Sequence, residues 1–446
     1  MRSILCARRL ARPCTERKFS CPRLVTRAES LRPDCRLAFK QTCEGMEISV
    51  KTALTEGALV ARDTVSLRRC ADLTAAMVRH DTRNPPGGES SIIPLLCGVL
   101  APLGAHLEVF EPEPGRPSLI ATIGNGNRPV LLINGHTDVV PVVESEWSVP
   151  PFAGQIHGDR LYGRGSCDMK GGIAAALEGL RACKIAGVEP RCDVVFHLVA
   201  DEETGGRRGT EALLRAGRID AANIAAAIVP EPTEMGICVA ERGTLFAEII
   251  VHGRAAHGSD PSKGHSAVSD AAHLVNALHR ADFGDPCHPL LGTPTCNVGT
   301  INGGTAPNIV ASECRLRVDR RVLPGHTREQ AIADLRRLIE ATAARLGHPI
   351  SYEIEVLAFV EASELDAKLP FVDYMRDTCA APLTGMYGGT DARFLRNQLD
   401  IPTVVFGPGS MTVAHTADEY VPLDELHACA TAFAAVFASF DPAELR

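Results

Sequence analysis

Three short apolar segments of this chain each run straight into a metal-binding type of side chain, and that pattern limits the fold more than any other feature. Leu131-Leu132-Ile133-Asn134-Gly135 reads as a buried strand that stops at a glycine and delivers His136 and Asp138. If the chain stays extended, those two side chains fall on the same side. An imidazole can then hold a metal through one nitrogen while a carboxylate fixes the other. Strand 193–200 ends in Asp201-Glu202-Glu203, and strand 225–230 ends in Pro230-Glu231. Helical segments at 171–186 and near 209–216 lie between them, the first with Ile173, Leu177 and Leu180 on one buried face. Strand, helix, strand with acids at the strand ends predicts an open mixed sheet sandwiched by helices. Ligands of such α/β sheets sit beyond the carboxyl ends of the strands.

The rest of the chain fits around that unit. Residues 60–105 read as helix in two pieces, broken at Asn84-Pro85-Pro86-Gly87-Gly88, and 107–135 offer two strands. Gly163-Arg164-Gly165-Ser166-Cys167-Asp168-Met169-Lys170-Gly171 is a glycine-rich loop opening a helix, without the spacing of a phosphate or dinucleotide cradle. Near 241 the pattern changes. Strand 244–253, helix 265–280, a half-exposed strand 309–319, a capped helix from Thr327 and strand 351–357 suggest an inserted ferredoxin-like α+β domain over 241–358. The first domain, 60–240, then resumes over 360–446. It ends with helix 391–398, strand 401–406, a loop holding Gly409 and His415, and a helix over 423–439.

A length of 446 residues favours two domains. The net charge of -8 argues against nucleic acid or an anionic membrane as partner. No run of some eighteen apolar residues suggests a membrane span. The 16 cysteines form no CxxC pairs, which fits reduced thiols in a cytoplasmic protein. Residues 1–45 carry 11 Lys/Arg against 4 Asp/Glu and lack apolar periodicity. An arginine-rich, acid-poor transit peptide fits them loosely; the favoured expectation is a disordered extension, or a start assigned too early with Met46 the true one.

His136, Asp168, Glu203, Glu231 and His415 are therefore five candidate ligands at strand ends or loops of one domain. Two imidazoles and three carboxylates suit two zinc-like ions. Two such ions can activate a shared water and polarise a carbonyl. Glu202, beside a ligand without needing to be one, is the candidate general base.

His136-Thr137-Asp138, Gly163-Arg164-Gly165-x-x-Asp168, Asp201-Glu202-Glu203, Glu231-Pro232-Thr233 and Ala414-His415-Thr416-x-x-Glu419 together resemble the dinuclear zinc aminoacylase/carboxypeptidase family. That family includes acetylornithine deacetylase and succinyl-diaminopimelate desuccinylase. The resemblance implies that Asp168 bridges two ions, Zn2+ or Co2+. His136 and Glu231 would complete one, Glu203 and His415 the other. Asp138 would orient His136, and the Asp168-Met169 bond would be cis. His257 would reach a dimer partner's site and stabilise an oxyanion. Asn308, Arg321, Thr390 and Gly409 would contact substrate, although Arg321 could instead pair with Asp319. His265 stands where the family often has Asn. The implied activity is removal of an N-acyl group, acetyl favoured, from an amino acid such as N-acetylornithine, by a homodimer. Desuccinylase, dipeptidase, carboxypeptidase and aminoacylase activities stay open, as does a non-catalytic dimeric binding protein of the same fold.

Overall fold

The computed structural model of the chain describes residues 55–445; the expectations for residues 1–45 and Met46 lie outside them. Its organising element is the strand β3, Val130–His136, buried along nearly its whole length. β3 runs parallel to Asp193–Val199 (β6) on one side and to Ile224–Val229 (β7) on the other. Thr403–Val405 (β15) extends the parallel set beyond β7. His106–Phe110 (β1), Ser118–Ile123 (β2), Ile237–Glu241 (β8), Ser363–Glu364 (β13) and Leu383–Met386 (β14) complete a 9-stranded mixed sheet, and Gln155–His157 (β4), Arg160–Tyr162 (β5) and Tyr420–Pro422 (β16) pair in a separate small one. Because β3, β6, β7 and β15 are parallel, their carboxyl ends open on one edge, and the residues that follow them meet there.

The helix Gly171–Ala186 (α4) closes one face of this sheet. Only one face was expected to be buried, yet 12 of its 16 residues are. It lies between the sheet and the apolar helix Leu423–Ser439, and Glu56–Thr64 packs on it too. Small residues permit this. A Cβ on Gly179 would stand 2.7 Å from the Cβ of Phe433. The one charged residue in the seam, Glu178, is satisfied by Arg181 at 2.5 Å and by the backbone N–H of Ser66 at 2.7 Å.

Two local readings of the amino-terminal part need correction. Residues 107–135 make three strands, because Gly124-Asn125-Gly126-Asn127 is a second turn between β2 and β3. The region expected as two helical pieces contains three α-helices: Glu56–Thr64, Leu67–Val78 and Ile93–Leu100. Thr55 and Ser66 each cap a helix by accepting a backbone N–H, which starts a new helix where apolar spacing alone reads as continuous.

The segment between Gly243 and Val360 forms a second sheet with its own core. Its strand order is Thr295–Gly303 (β10), Glu313–Val322 (β11), Gly243–His252 (β9), Ser351–Val360 (β12), with every neighbouring pair antiparallel. In sequence order that is 2-3-1-4, the βαββαβ arrangement. The helices Ala267–Leu278 and Arg328–Leu346 bury Leu274, Leu335 and Ile339 against Leu245, Ala247, Ile249 and Leu316. Along β11, Cys314, Leu316 and Val318 point into this core, while Arg315 and Arg317 face away and share Glu248 at 2.7 and 2.8 Å. β10 has few apolar residues and is mostly exposed, so no period marked it in the sequence.

Candidate metal centre

His136 is the last residue of β3, and Gly135 is what lets it sit there. A Cβ on Gly135 would lie 2.9 Å from Ile173 Cγ1, so only glycine allows α4 this close. Asp168 and Met169 interrupt the turn Ser166–Lys170 with non-helical backbone, and the peptide between them is cis. That turn carries the Asp168 carboxylate across the open end of the sheet. One of its oxygens is 3.0 Å from His136 Nε2 and the other is 3.2 Å from His415 Nε2. Glu231, just past β7, lies 3.3 Å from His136 Nε2. Glu203, just past β6, lies 3.1 Å from His415 Nε2. His136, Asp168 and Glu231 thus form one close group, and Asp168, Glu203 and His415 form another.

These separations and atom types fit divalent metal. Two ligands on one ion, with bonds of roughly 2.0–2.2 Å at a tetrahedral angle, stand about 3.3 Å apart. The electrostatics agree. Burial and the charge of Asp168 push Glu203 up to about 7. Burial raises Glu231 well above the usual carboxylate range. Hydrogen bonds to Asp168 and Glu203 push His415 up to about 11. Burial works against ionisation of Asp168 as well, but its bonds to His136 and His415 outweigh it and hold the carboxyl low. Three carboxylates against two imidazoles leave the cleft short of positive charge, and protons fill the deficit. Divalent ions supply that charge without the protons.

Around the two groups lies a brace. The Asp138 carboxylate accepts the backbone N–H groups of Glu202 and Glu203, both at 3.2 Å, while His136 Nδ1 lies 3.0 Å from the Asp138 backbone carbonyl and 3.5 Å from its carboxylate. One residue therefore meets the imidazole through its backbone carbonyl and pins the turn that carries Glu203 through its carboxylate. Glu202 belongs to neither group; its carboxylate sits 3.6 Å from Arg393, and burial raises it well above its ordinary range. Cys167 is buried, with its Sγ 3.5 Å from the carbonyl of Ser410, in packing rather than among the donors.

The other expected residues are spread more widely. His257 and Asn308 lie together on loops of the second lobe, where Asn308 accepts the N–H of Gly258 at 2.7 Å and His257 Nδ1 is 2.7 Å from Ser259 Oγ. Neither belongs to the two close groups. Arg321 is forked by Asp319 at 2.8 and 3.1 Å while it lines a cavity of about 610 Å³ with Arg242, Glu234 and Tyr387. Thr390 is buried: its N–H donates to Glu241 at 3.0 Å and its hydroxyl accepts from Ala392. Gly409 has φ 87° and lies against Cys167, and its N–H donates to Glu425 at 2.7 Å.

Three supporting residues are present in the sequence motifs without a role assigned to them. Asn84 donates to Asp138 at 2.9 Å and to Asp201 at 3.2 Å. Asp201, at φ 70°, also accepts from Arg116 at 3.1 Å. Glu419, fully buried, accepts from Arg164 Nη1 at 2.5 Å and from the N–H groups of Cys167 and Asp168 at 2.9 and 3.1 Å. Glu419 had a signal, four residues after His415. Asn84 read only as part of a break between helices.

The sequence profile of peptidase family M20/M25/M40 matches residues 132–439. The acetylornithine deacetylase of Pectobacterium carotovorum is 33% identical over 74% of this chain and 86% of its own length. That of Edwardsiella ictaluri is 31% identical over 81% of this chain and 93% of its own length. Among solved structures, the aminopeptidase PepT of Bacillus cereus superposes with a TM-score of 0.66 at 24% identity, over 84% of this chain and 99% of that one. The YXEP protein of Bacillus subtilis, described as a dinuclear metal-binding peptidase, gives 0.62 at 16% identity over 83% and 97%. The chain belongs to peptidase family M20/M25/M40 and is a hydrolase of amide bonds.

Proposed function

We propose that the chain removes an N-acyl group, acetyl in the first instance, from an amino acid such as N-acetylornithine, using two divalent ions, Zn2+ or Co2+. The observation that carries this is Asp168, whose two oxygens lie 3.0 and 3.2 Å from two different imidazoles. His136 and Glu231 would share one ion with it, and Glu203 and His415 the other. When bound, such ions supply Lewis-acid charge for an amide carbonyl and lower the pKa of water. Glu202 takes a proton from the attacking water and hands it to the leaving nitrogen, a task open to a carboxyl that stands beside both groups of donors and belongs to neither. Asp138 keeps His136 in the ligating tautomer. Arg321 and Arg242 would receive the substrate carboxylate, with Asn308, Thr390 and Gly409 around it. The lobe over 241–358 would act as a lid and dimerisation domain in a cytoplasmic homodimer, bringing His257 to the partner's oxyanion. The relatives named acetylornithine deacetylase support acetyl over other acyl groups.

A panel of N-acetyl and N-succinyl amino acids and dipeptides, assayed with zinc- and cobalt-loaded protein, tests the proposal. Release of acetate from N-acetylornithine is expected to be fastest. No turnover of any of them would leave the non-catalytic binding protein. Glu202→Gln should lose about 10²–10⁴ in rate while metal content, read by mass spectrometry, stays at the parent value.

A further inference from the structure

The second lobe holds a cluster that hydrolysis does not use. His265 stands just before the helix Ala267–Leu278, Asp270 in its first turn, and His348 directly after Gly347, which ends the helix Arg328–Leu346. Buried Asp270 offers one oxygen to each imidazole: Oδ2 is 2.6 Å from His265 Nε2 and Oδ1 is 3.0 Å from His348 Nε2. We propose that His265, Asp270 and His348 form a mononuclear site for a divalent transition ion of the zinc class. It shares no residue with the centre built on Asp168.

Two imidazole nitrogens and one carboxylate are a three-donor set that such ions accept, with a fourth position left open. Two imidazoles on one tetrahedral ion, ligating through Nε2 at roughly 2.0–2.1 Å, place their ring centres about 5 Å apart. The two rings here are 5.0 Å apart, at 81°. Donors on one ion stand about 3.3 Å apart, so the His265 ring must retreat by about 0.7 Å from its 2.6 Å contact and the His348 ring by about 0.3 Å from its 3.0 Å contact. Their side chains are 38% and 39% exposed, which leaves them that room.

The backbone beneath each donor is already fixed. His265 exchanges two backbone hydrogen bonds with Arg254, both 2.8 Å. Asp270 rides on a helix whose first turn is capped by the Ser266 hydroxyl, accepting from Ser269 at 3.2 Å. His348 follows a left-handed Gly347 whose N–H donates to Ala343 at 3.0 Å. The three donors line a cavity of about 610 Å³ with Ser266 and Ser269, which gives an ion an entry path. A bound ion would tie the start of one helix of this lobe to the end of the other.

Zinc per chain, measured by inductively coupled plasma mass spectrometry on the full-length protein after dialysis, tests the site against its His348→Gln and His265→Gln variants. The expected result is one equivalent fewer than the parent in either variant, with the remaining zinc retained as proof of an intact fold. A rise in Tm on zinc addition that is larger for the parent than for the variant would accompany it. Unchanged zinc content in either folded variant, or loss of all zinc in both, would overturn the proposal.

Discussion

Glu419 offers the sharpest test of how the site is held, because its two oxygens do different jobs. Oε1 accepts the backbone N–H groups of Cys167 and Asp168. Oε2 takes the Arg164 guanidinium, itself buried. In Glu419→Gln the amide oxygen can keep the Oε1 contacts, but its NH2 then faces the Arg164 donors and a buried charge loses its partner. Removing one member of a buried pair costs about 3–5 kcal/mol, whereas replacing both by groups of similar volume can be nearly neutral. Burial, with repulsion from Asp168, raises the Glu419 carboxyl even against the pull of Arg164. Glu419→Gln and Arg164→Met should each therefore destabilise by about 3–5 kcal/mol, and the double variant by less than either. Urea unfolding at pH 7 under chelating conditions reads this apart from metal binding. A double variant as unstable as the sum of the two singles would refute the reasoning, since it would make the contacts independent.

Two further outcomes follow from the same geometry. Glu203 and His415 both have raised folded-state values, about 7 and about 11, so the metal-free fold holds more protons than the unfolded chain. The stability they contribute is complete below their unfolded values, near 4.5 and 6.5, and is lost as pH rises through the folded ones. Chelated protein should therefore lose stability from pH 6 to 9, while zinc binding tightens and releases protons; urea unfolding and calorimetry in buffers of differing ionisation heat check both, and a flat profile contradicts the shifts. Gly135→Ala should destabilise by about 1–3 kcal/mol, the cost of overpacking a full core, because its Cβ would stand 2.9 Å from Ile173 Cγ1. Zinc retention should fall with it as His136 shifts; unchanged unfolding and zinc content would show that α4 can simply move away.

How much of this was legible in advance depends on how local each signal is. His136, Glu203 and Glu231 follow apolar strands whose ends are visible as composition, so their meeting at one sheet edge follows from parallel order. Helix Leu423–Ser439 was read to its observed limits for the same reason: a long periodic run after a proline. Thr295–Gly303 carries no apolar period and becomes a strand only because Glu313–Val322 pairs with it. Arg321 is open in the sequence between a substrate carboxylate and Asp319; Arg321 and Asp319 lie two residues apart on one strand and so share a face, and Asp319 forks the guanidinium there.

The donor types, their order and the α/β frame that displays them were written in the chain, since side-chain chemistry and strand periodicity are properties of short windows. Tertiary structure alone decided that Asp168 faces two imidazoles at once, that Glu419 holds its backbone in place, and that His265, Asp270 and His348 converge across a second core. All of those contacts but His265–Asp270 join positions far apart in sequence. Their geometry is set by how helices and sheets pack, which no short window encodes.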